Sequence, residues 1–293
     1  MKQIVIISGK GGTGKTTVTG ALGNLADGLV LSDADVEAPD LHLILQPEIR
    51  EREPFIGMSK AKIDPDRCIG CWECIETCRF DAISQDGEIA KVDDLECEGC
   101  HACGLVCHES AISFEPSRSG EIFLSSTRWG PMSHAQLTMG EETSGRIVSV
   151  VRENAKNLSK KHQEPLILID GPPGVACPVI ASTTGVDLAI IVTEPTISGL
   201  SDLERALELT KHFEVQSYVI VNKADLVPEM ALKIREFCEF RGVRIIGEIP
   251  FDPTVGTAIA NGRTVIEEDK DASASIALVR IWEEIKREFL QEL

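Results

Sequence analysis

Short runs of β-branched and aliphatic residues alternate with longer amphipathic segments along most of the chain. The apolar runs cover residues 3–8, 29–32, 166–169, 188–192, 217–221 and 243–249. Each run has the length of a strand that is buried on both faces. The segments with apolar side chains at helical spacing are 15–26, 200–213 and 228–241. This alternation predicts an α/β fold, a mostly parallel, doubly wound sheet with helices on both faces.

The stretch 58–116 breaks this rhythm with a short-spaced pattern that is rich in cysteine and repeats itself. A shift of 29 residues superimposes Lys62-Ile63-Asp64 on Lys91-Val92-Asp93, and four cysteines of the first copy on four of the second. An internal repeat of this kind predicts one small α+β domain with two similar halves. We therefore predict an insert at 58–116 within a larger domain formed by 1–57 and 117–293.

Composition limits the classes of function. The chain has 293 residues, of which 43% are hydrophobic, so it has enough apolar material for a packed core. Its net charge of −18 argues against nucleic acid or an anionic membrane as the main partner. No apolar run reaches the roughly 18 residues of a spanning helix, and the first residues lack a signal-peptide pattern. We expect a cytoplasmic protein, in which ten cysteines are more suited to metal than to disulfides.

The residues Gly9-Lys10-Gly11-Gly12-Thr13-Gly14-Lys15-Thr16 fit the phosphate-binding pattern G-x-x-x-x-G-K-[ST] between a predicted strand and a predicted helix. Glycines let backbone N–H groups converge on phosphate oxygens, while the lysine reaches the terminal phosphates. The hydroxyl of Thr16 has the position that Mg²⁺ requires. The sequence therefore predicts a nucleotide site in this loop.

Acidic residues follow two other predicted strands. Asp33 and Asp35 come directly after the second strand, and Asp170 ends the strand at 166–169. Ligands of parallel α/β sheets bind at the carboxyl ends of the strands, where these carboxylates would meet the phosphate loop. We predict that Asp33 and Asp170, with Thr16, hold Mg²⁺.

These motifs carry a family resemblance. The loop from Lys10 to Thr16 resembles the deviant Walker A motif of the MinD/ParA/Mrp group of P-loop ATPases. Asp33-Ala34-Asp35 and Asp170-Gly171-Pro172-Pro173-Gly174 resemble two further motifs of that group. The resemblance implies an ATP-dependent sandwich dimer, a homodimer or a dimer with a paralogue, in which Lys10 reaches the partner's nucleotide. It also implies slow, partner-stimulated hydrolysis with Asp35 positioning the attacking water.

Two later motifs favour a bound adenine nucleotide. Asn222-Lys223-Ala224-Asp225 follows a predicted strand, and an asparagine amide has both the donor and the acceptor that an adenine edge requires. The motif is also similar to the guanine-reading N-K-x-D of GTPases, but the deviant Walker A context favours ATP. Pro250 belongs to a loop that resembles the base-flanking loop of the same family. The predicted nucleotide-binding residues are Gly11, Gly12, Thr13, Gly14, Lys15, Thr16, Thr17, Asn222, Lys223, Asp225 and Pro250.

The pattern C-x₂-C-x₂-C-x₃-C occurs twice, starting at Cys68 and at Cys97. This is the spacing that bacterial ferredoxins use for [4Fe–4S] clusters, whereas zinc sites more often have paired C-x₂₋₄-C knuckles. The insert thus resembles a two-cluster ferredoxin, in which the fourth cysteine of each run ligates the other cluster. The implied ligand sets are Cys68, Cys71, Cys74 and Cys107 for one cluster, and Cys97, Cys100, Cys103 and Cys78 for the other. The insert departs from ferredoxins at Arg79 and His108, which replace the expected proline.

Two cysteines lie outside these sets. Cys177 follows Asp170 by seven residues, an offset at which the nitrogenase iron protein has a cluster ligand, but a buried apolar cysteine is the favoured interpretation. Cys238 lies between Phe237 and Phe240 in a predicted helix and is interpreted as core. The segment 129–145 receives no predicted role.

Together the motifs predict an ATP-dependent switch joined to two electron carriers, with an unidentified redox protein as partner. Two alternatives stay open: a MinD-like ATP switch whose clusters sense redox state, and a carrier that assembles Fe–S clusters.

Overall fold

The computed structural model describes residues 1–138 and 145–291. These residues form two compact units. The sheet unit comprises Met1–Arg52, Ile122–Gln136 and the described chain from residue 145. The cysteine unit comprises Glu53–Glu121 with Leu137 and Thr138. The predicted insert, 58–116, lies within the limits of the cysteine unit.

A nine-stranded sheet runs through the described chain in the order β11-β10-β9-β1-β8-β2-β7-β6-β3. Its strands are β1 (Lys2–Ser8), β2 (Leu29–Asp33), β3 (Glu48–Ile63), β6 (Ile112–Ser126), β7 (Pro131–Leu137), β8 (Leu166–Pro173), β9 (Leu188–Thr193), β10 (Ser217–Asn222) and β11 (Arg244–Ile249). From β11 to β7 every neighbouring pair is parallel. The predicted α/β fold with a mostly parallel sheet is therefore confirmed.

The helices of the sheet unit are α1 (Lys15–Leu25), α2 (Leu41–Leu45), α5 (Gly145–His162), α6 (Cys177–Thr183), α7 (Ile197–His212), α8 (Pro228–Arg241), α9 (Thr254–Ala260), α10 (Val265–Glu268) and α11 (Ser273–Phe289). Those up to α8 lie between the strands of the unit, and the last three follow β11. Strand residues such as Ile4 and Ile6 are fully buried, and they pack with Leu22 of α1 and Ile285 of α11 in one apolar core. None of the helices described is long and apolar enough to cross a membrane.

Several elements have no counterpart in the sequence prediction. Strands β3, β6 and β7 and helix α5 all lie in stretches where we predicted neither strand nor helix. In β3 and β6 most side chains are partly or fully exposed, so the apolar alternation that marks a strand is weak there. The segment 129–145, which received no role, supplies β7, while 139–144 lie outside the described residues.

The cysteine unit repeats its backbone as well as its sequence. Helices α3 (Glu73–Thr77) and α4 (Ala102–Val106) flank a hairpin of β4 (Ile83–Asp86) and β5 (Ile89–Val92). Left-handed backbone recurs at equivalent positions of the two halves, namely Gly70 and Gly99, Trp72 and His101, and Asp81 and Ser110. The matching conformations support the predicted two-fold repeat.

Candidate functional site

The glycine-rich loop joins β1 to α1 at the carboxyl edge of the sheet. Gly12 and Gly14 adopt left-handed φ values of 78° and 92°, which other residues rarely tolerate. A Cβ atom at Gly14 would also lie 2.3 Å from the Asn222 amide nitrogen. A cavity of about 400 Å³ opens beside the loop and is lined by Gly11, Gly12, Gly14, Lys15, Thr16, Thr17, Asp35, Glu37, Ala38, Asp40, Leu43, Ile44, Pro173 and Ile259.

Lys15 lies at the base of this cavity in a buried ion pair. Its Nζ is 3.0 Å from Asp35 Oδ2, and both side chains are 9% exposed. Burial alone would lower the pKa of Lys15, but the carboxylates of Asp170, Asp35 and Asp33 outweigh it and raise the pKa. The amine is therefore charged at neutral pH, and in this structure the Asp35 carboxylate is the anion that pairs with it.

Two more carboxylates are fully buried next to this pair. Asp33 and Asp170 lie opposite each other in the parallel pairing of β2 with β8. Burial, reinforced by the charge of each neighbouring carboxylate, raises the pKa of both groups, although Lys15 and two hydroxyls partly offset this at Asp170. Buried carboxylates of this kind require a compensating cation.

Hydroxyl groups of α1 complete an oxygen-rich pocket. Thr16 Oγ1 donates to Asp170 Oδ2 at 2.7 Å, and Thr19 Oγ1 donates to Asp170 Oδ1 at 2.8 Å. Thr13 Oγ1 is buried and has no hydrogen-bond partner within the described chain. Hard oxygen ligands next to a charged lysine and a glycine-rich loop suit a divalent cation with a bound phosphate. The sequence did not single out Thr19, although it lies one turn after Thr16 on the same helix face.

Lys10 contacts its own chain in this structure. Its Nζ is 2.7 Å from Glu194 Oε1 and 2.9 Å from Ser198 Oγ. Glu194 also accepts from Lys223 Nζ at 3.1 Å. Burial alone would raise the pKa of Glu194, but the hydrogen bonds from Lys10 and Lys223 outweigh it and lower the pKa. Sequence reasoning missed Glu194, and only its place at the carboxyl end of β9 could have indicated it.

The Asn222-Lys223 motif also binds the phosphate loop. The Asn222 amide donates to the Thr13 carbonyl at 2.8 Å, and Lys223 Nζ donates to the Gly12 carbonyl at 3.2 Å. Asp225 accepts from the Phe251 N–H at 2.6 Å, which fixes the loop that follows Pro250. The structure thus joins this motif to the predicted site, and it uses the Asn222 amide inside the protein.

Comparison with known proteins agrees with this geometry. The family described as the CobQ/CobB/MinD/ParA nucleotide binding domain matches residues 4–265. The chain belongs to this family. The uncharacterized protein MJ0578 of Methanocaldococcus jannaschii is 35% identical over 291 residues, covering 97% of this chain and 96% of its own.

Other MinD/ParA-type proteins are more distant. The septum site-determining protein MinD of Pyrococcus horikoshii, solved with Mg-ADP, has a TM-score of 0.59 at 20% identity and covers 99% of this chain and 97% of its own. The fold is therefore that of MinD. The cytosolic Fe-S cluster assembly factor NBP35 of Eremothecium gossypii is 23% identical over 192 residues, covering 55% of this chain and 58% of its own.

The cysteine unit of this MinD/ParA-family chain contains two cavities between its thiols. The first, about 90 Å³, is lined by four cysteines, Cys68, Cys71, Cys74 and Cys107. The second, about 20 Å³, is also lined by four cysteines, Cys78, Cys97, Cys100 and Cys103. Each cavity thus takes three thiols from one run and the fourth thiol from the other run. No three His, Cys, Asp or Glu side chains in residues 1–138 and 145–291 converge closely enough to hold a single metal ion.

The thiols have different surroundings. Cys71 and Cys100 are exposed, whereas Cys74 and Cys103 are buried in the small apolar core of the unit. Burial, together with neighbouring cysteines, raises the pKa of Cys74, and it raises the pKa of Cys103 to about 11. The two buried sulfurs are therefore neutral thiols at pH 7 unless a metal compensates their charge. The Cys107 sulfur accepts from the Ala111 N–H at 3.2 Å.

The two remaining cysteines differ from each other. Cys238 is 1% exposed on α8, as the core interpretation predicts, and burial raises its pKa to about 11. Cys177 is exposed, so the favoured interpretation of a buried apolar cysteine is wrong. The physical reason is that α6 begins at Cys177, and the buried side of this short helix carries Val179, Ser182 and Thr183 instead.

Proposed function

We propose that this chain is an ATP-binding and ATP-hydrolysing iron–sulfur protein, in which nucleotide-dependent dimerisation gates electron transfer through two [4Fe–4S] clusters. One observation carries the proposal. The cysteine unit holds two separate cavities, and each is lined by four cysteines in the crossed combination that two-cluster ferredoxins use. The phosphate loop supports the part of the proposal that concerns ATP binding and hydrolysis.

The donor set of each cavity fits a cluster. Cys68, Cys71, Cys74 and Cys107 would hold one [4Fe–4S] group, and Cys97, Cys100, Cys103 and Cys78 would hold the other. Four cysteines line each cavity, together with apolar residues such as Ile63 and Ala61. Four thiolates are the ligand number of a [4Fe–4S] cluster. When bound, such a cluster accepts and releases one electron at a time.

In the sheet unit, the residues of the site divide the work of ATP hydrolysis. Thr16, Asp33 and Asp170 would hold Mg²⁺, which shields the phosphate charge when bound. Gly11, Gly12, Gly14 and Thr17 line the cavity where backbone N–H groups would bind phosphate oxygens. Lys15 neutralises charge on the terminal phosphates. We assign the adenine base of ATP to the region of Asp225 and Pro250, because the Asn222 and Lys223 side chains contact the phosphate loop.

The Lys15–Asp35 pair explains how binding prepares hydrolysis. An arriving phosphate competes with Asp35 for the Lys15 ammonium group, since both are anions that need the same cation. Asp35 is then released to accept a hydrogen bond from water. In that position its carboxylate orients the water that attacks the γ-phosphorus. The bond from this phosphorus to the ADP oxygen breaks, and the proton of the water passes to the released phosphate.

Dimerisation would involve Lys10. In this structure Glu194 of the same chain pairs with the Lys10 ammonium group. The negative charge of a second chain's nucleotide would offer Lys10 a stronger partner than one carboxylate. The partner chain is a second copy or a paralogue.

The decisive experiment combines cluster analysis with nucleotide. Protein purified without oxygen should contain about eight irons per chain and show a reduced-cluster EPR spectrum. Asp35→Ala should bind ATP, hydrolyse it about 10²- to 10⁴-fold more slowly and accumulate as a dimer. The ATP-bound dimer should then differ from nucleotide-free protein in its rate of cluster reduction. Asp271→Ala, a change at an exposed aspartate, is the matched control and should behave as wild type.

Two results would overturn the proposal. If the purified protein contains stoichiometric zinc and shows no visible absorbance, it holds no Fe–S clusters and that part of the proposal is wrong. Identical reduction rates with and without ATP would remove the gating and leave two activities on one chain.

A carrier of Fe–S clusters is the second candidate function. It is favoured by the similarity to NBP35, a cytosolic Fe-S cluster assembly factor. A carrier should transfer iron to an apo acceptor protein when ATP is added, while an electron carrier should retain its iron. Measurement of iron in both proteins after separation distinguishes the two functions.

A further inference from the structure

A tight turn joins β6 to β7 within the sheet unit. Residues 127–130 form this turn, with the Thr127 N–H donating to the Gly130 carbonyl at 2.9 Å. The Thr127 hydroxyl donates to the same carbonyl at 2.8 Å and accepts from the Trp129 N–H at 3.2 Å. These bonds fix the direction in which Arg128 leaves the turn. The strand before this turn, β6, is the one on which the chain passes from the cysteine unit back to the sheet unit at Ile122.

Arg128 binds the end of helix α2. Its two terminal nitrogens donate to the carbonyls of Leu45 and Ile44, at 2.7 and 2.9 Å. The last carbonyls of a helix have no partner within it, so a guanidinium group there caps the helix. The position of α2 is therefore tied to the position of the turn.

The same side chain also forms a bidentate pair with Glu267 of α10. Nε donates to one carboxylate oxygen at 2.6 Å, and a terminal nitrogen donates to the other at 2.7 Å. Glu267 accepts from the Thr264 N–H at 2.8 Å, and Thr264 Oγ1 accepts from Asn24 of α1 at 3.0 Å. Only a planar guanidinium can serve two helix carbonyls and a carboxylate together. Arg128 thus joins α2 to a network that reaches the helix of the phosphate loop.

Helix α2 belongs to the phosphate site at its other end. The Leu41 N–H donates to Asp33 Oδ2 at 3.3 Å, and Leu43 and Ile44 line the phosphate cavity. Asp33 is one of the proposed Mg²⁺ ligands, so binding of a metal and phosphate changes the charge that holds the start of α2. A shift of α2 then acts on Arg128 through the Ile44 and Leu45 carbonyls.

We propose that Arg128 is a positioning residue that couples the phosphate cavity to β6. Nucleotide binding moves or stiffens α2, Arg128 transmits the change to the 127–130 turn, and β6 responds. This inference rests on the proposed function for its biological purpose, because β6 is the strand by which the cysteine unit is connected. Its mechanical part rests on the contacts that Arg128 makes in the sheet unit, to which residues 122–126 of β6 belong.

Hydrogen–deuterium exchange of the full chain, purified without oxygen, tests the mechanical part. Exchange is compared without nucleotide and with Mg²⁺ and a non-hydrolysable ATP analogue. In wild type, the analogue should slow exchange in peptides of 41–45 and in peptides of 112–126, the latter by about fivefold or more. In Arg128→Gln the effect on 41–45 should remain and that on 112–126 should disappear. Equal slowing of 112–126 in both proteins, or none in wild type, overturns the proposal.

Control variants separate coupling from folding. Arg263→Gln removes an arginine that pairs with the adjacent Glu268 at 3.7 Å, and it should preserve the response of 112–126. Glu267→Gln keeps an acceptor for the Thr264 N–H but loses the charge that holds Arg128, so it should weaken the response. All three variants should bind ATP within about threefold of wild type, since none removes a phosphate contact. If Arg128→Gln does not fold, the exchange response of 112–126 in Glu267→Gln tests the proposal instead.

EPR of the same samples separates this inference from the proposed function. A nucleotide effect on the clusters in wild type that is lost in Arg128→Gln supports both. An unchanged nucleotide effect on the clusters in Arg128→Gln overturns the coupling role and leaves the proposed function standing. Exchange coupling without any nucleotide effect on wild-type clusters supports Arg128 and refutes gated electron transfer.

Discussion

The sheet unit and the cysteine unit bury different kinds of side chain. The core of the sheet unit contains strand and helix residues such as Ile4, Leu168 and Trp282 and includes none of the predicted ligands. The small core of the cysteine unit consists of Ala61, Cys74, Ile83, Ala90 and Cys103. Two of its five buried members are thus proposed cluster ligands. Apolar packing is thus enough for the first unit, whereas in the second the proposed clusters would complete a small core.

The buried polar groups differ in the same way. In the sheet unit, Asp33, Asp170 and Lys15 form a charged group that is already partly compensated and is open to a cavity of about 400 Å³. In the cysteine unit the cavities are about 90 and 20 Å³, and burial raises the pKa of the Cys74 and Cys103 thiols that line them. The cavity of the first unit is open to an exchanging ligand, whereas in the second unit the proposed clusters would supply the positive charge that turns these thiols into thiolates.

The largest expected effect is that the cysteine unit loses its iron and its fold while the sheet unit stays folded. Cys74→Ser combined with Cys103→Ser removes one buried ligand from each cavity and places hydroxyl groups in the core. We expect iron to fall from about eight to fewer than four per chain, and proteolysis to become rapid within 53–121. ATP affinity should stay within about threefold of wild type, because the sheet unit has its own core.

Cys177→Ser is the matched control for that experiment, since Cys177 is an exposed cysteine outside both sets. It should retain full iron content and normal resistance to proteases. Loss of ATP binding in the double variant would contradict the independence of the two units.

The complementary experiment changes the sheet unit and removes the positive charge of Lys15 from the phosphate site. Lys15→Ala should weaken ATP binding by about 100-fold or more, because a buried ammonium group on the phosphates is lost and the carboxylates of Asp35 and Asp170 repel the nucleotide. Iron content and the EPR spectrum should not change. Equilibrium binding of a fluorescent ATP analogue, with an iron assay on the same sample, measures both quantities. Loss of iron along with ATP binding would show that the units do not fold independently.

A smaller effect is expected at Glu194. Glu194→Gln weakens the ion pair that holds Lys10 on its own chain, in which the side chains are 30% and 16% exposed. A partly exposed pair of this kind contributes about 1 kcal/mol, and a dimer of two copies breaks two such pairs. ATP-dependent dimers should therefore form at roughly 30-fold lower concentration. Analytical ultracentrifugation with an ATP analogue measures the shift. Glu208→Gln, at a distant glutamate that faces Arg241, should have no effect on dimer formation.

The smallest expected effect is a pH dependence that belongs to the sheet unit. His134 lies in β7 with Ser125 Oγ 2.9 Å from its Nε2, and burial followed by the charge of His42 lowers its pKa from 6.5 to about 4. The unfolded chain therefore binds a proton that the folded chain excludes, and the free energy of unfolding falls as the pH drops below 6.5. Between pH 7 and 5.5 this amounts to roughly 1 kcal/mol.

Urea unfolding of wild type and His134→Gln at several pH values measures that contribution. Glutamine keeps a hydrogen-bonding group for Ser125 but does not titrate in this range. The variant should lose less stability than wild type between pH 7 and 5.5. Parallel pH curves for the two proteins would mean that His134 is protonated equally in both states.

The sequence predicted best where one interaction dominates a short segment. The apolar runs at β1, β8, β9 and β10 are almost wholly buried, and a short run of this kind predicts a central strand. Each strand is found within a few residues of its predicted position. Helix α8 begins at Pro228 and ends at Arg241, as predicted, because Pro228 and Gly242 mark its two ends. The two predicted sets of four cysteines are also the sets that line the two cavities, while their binding of clusters stays a prediction.

The parts that escaped prediction depend on distant partners. Strand β3 is mostly exposed, and its pairing in the sheet, not its own pattern, makes it a strand. Glu194 lies 184 residues from Lys10 along the chain, and nothing near either residue indicates the pair. Asn222 suits an adenine edge by its chemistry, and only the folded loop reveals that its amide donates to the Thr13 carbonyl.

The crossed cysteine sets have a consequence for the history of the insert. Cys78 belongs to the first run but lines the second cavity, and Cys107 belongs to the second run but lines the first. A chain with a single run would therefore provide three ligands to one cavity and its fourth ligand to a cavity it does not possess. Such an ancestor could complete its sites only by pairing with a second copy of itself. Duplication within one gene would then have turned an intermolecular exchange of the proposed ligands into an intramolecular one.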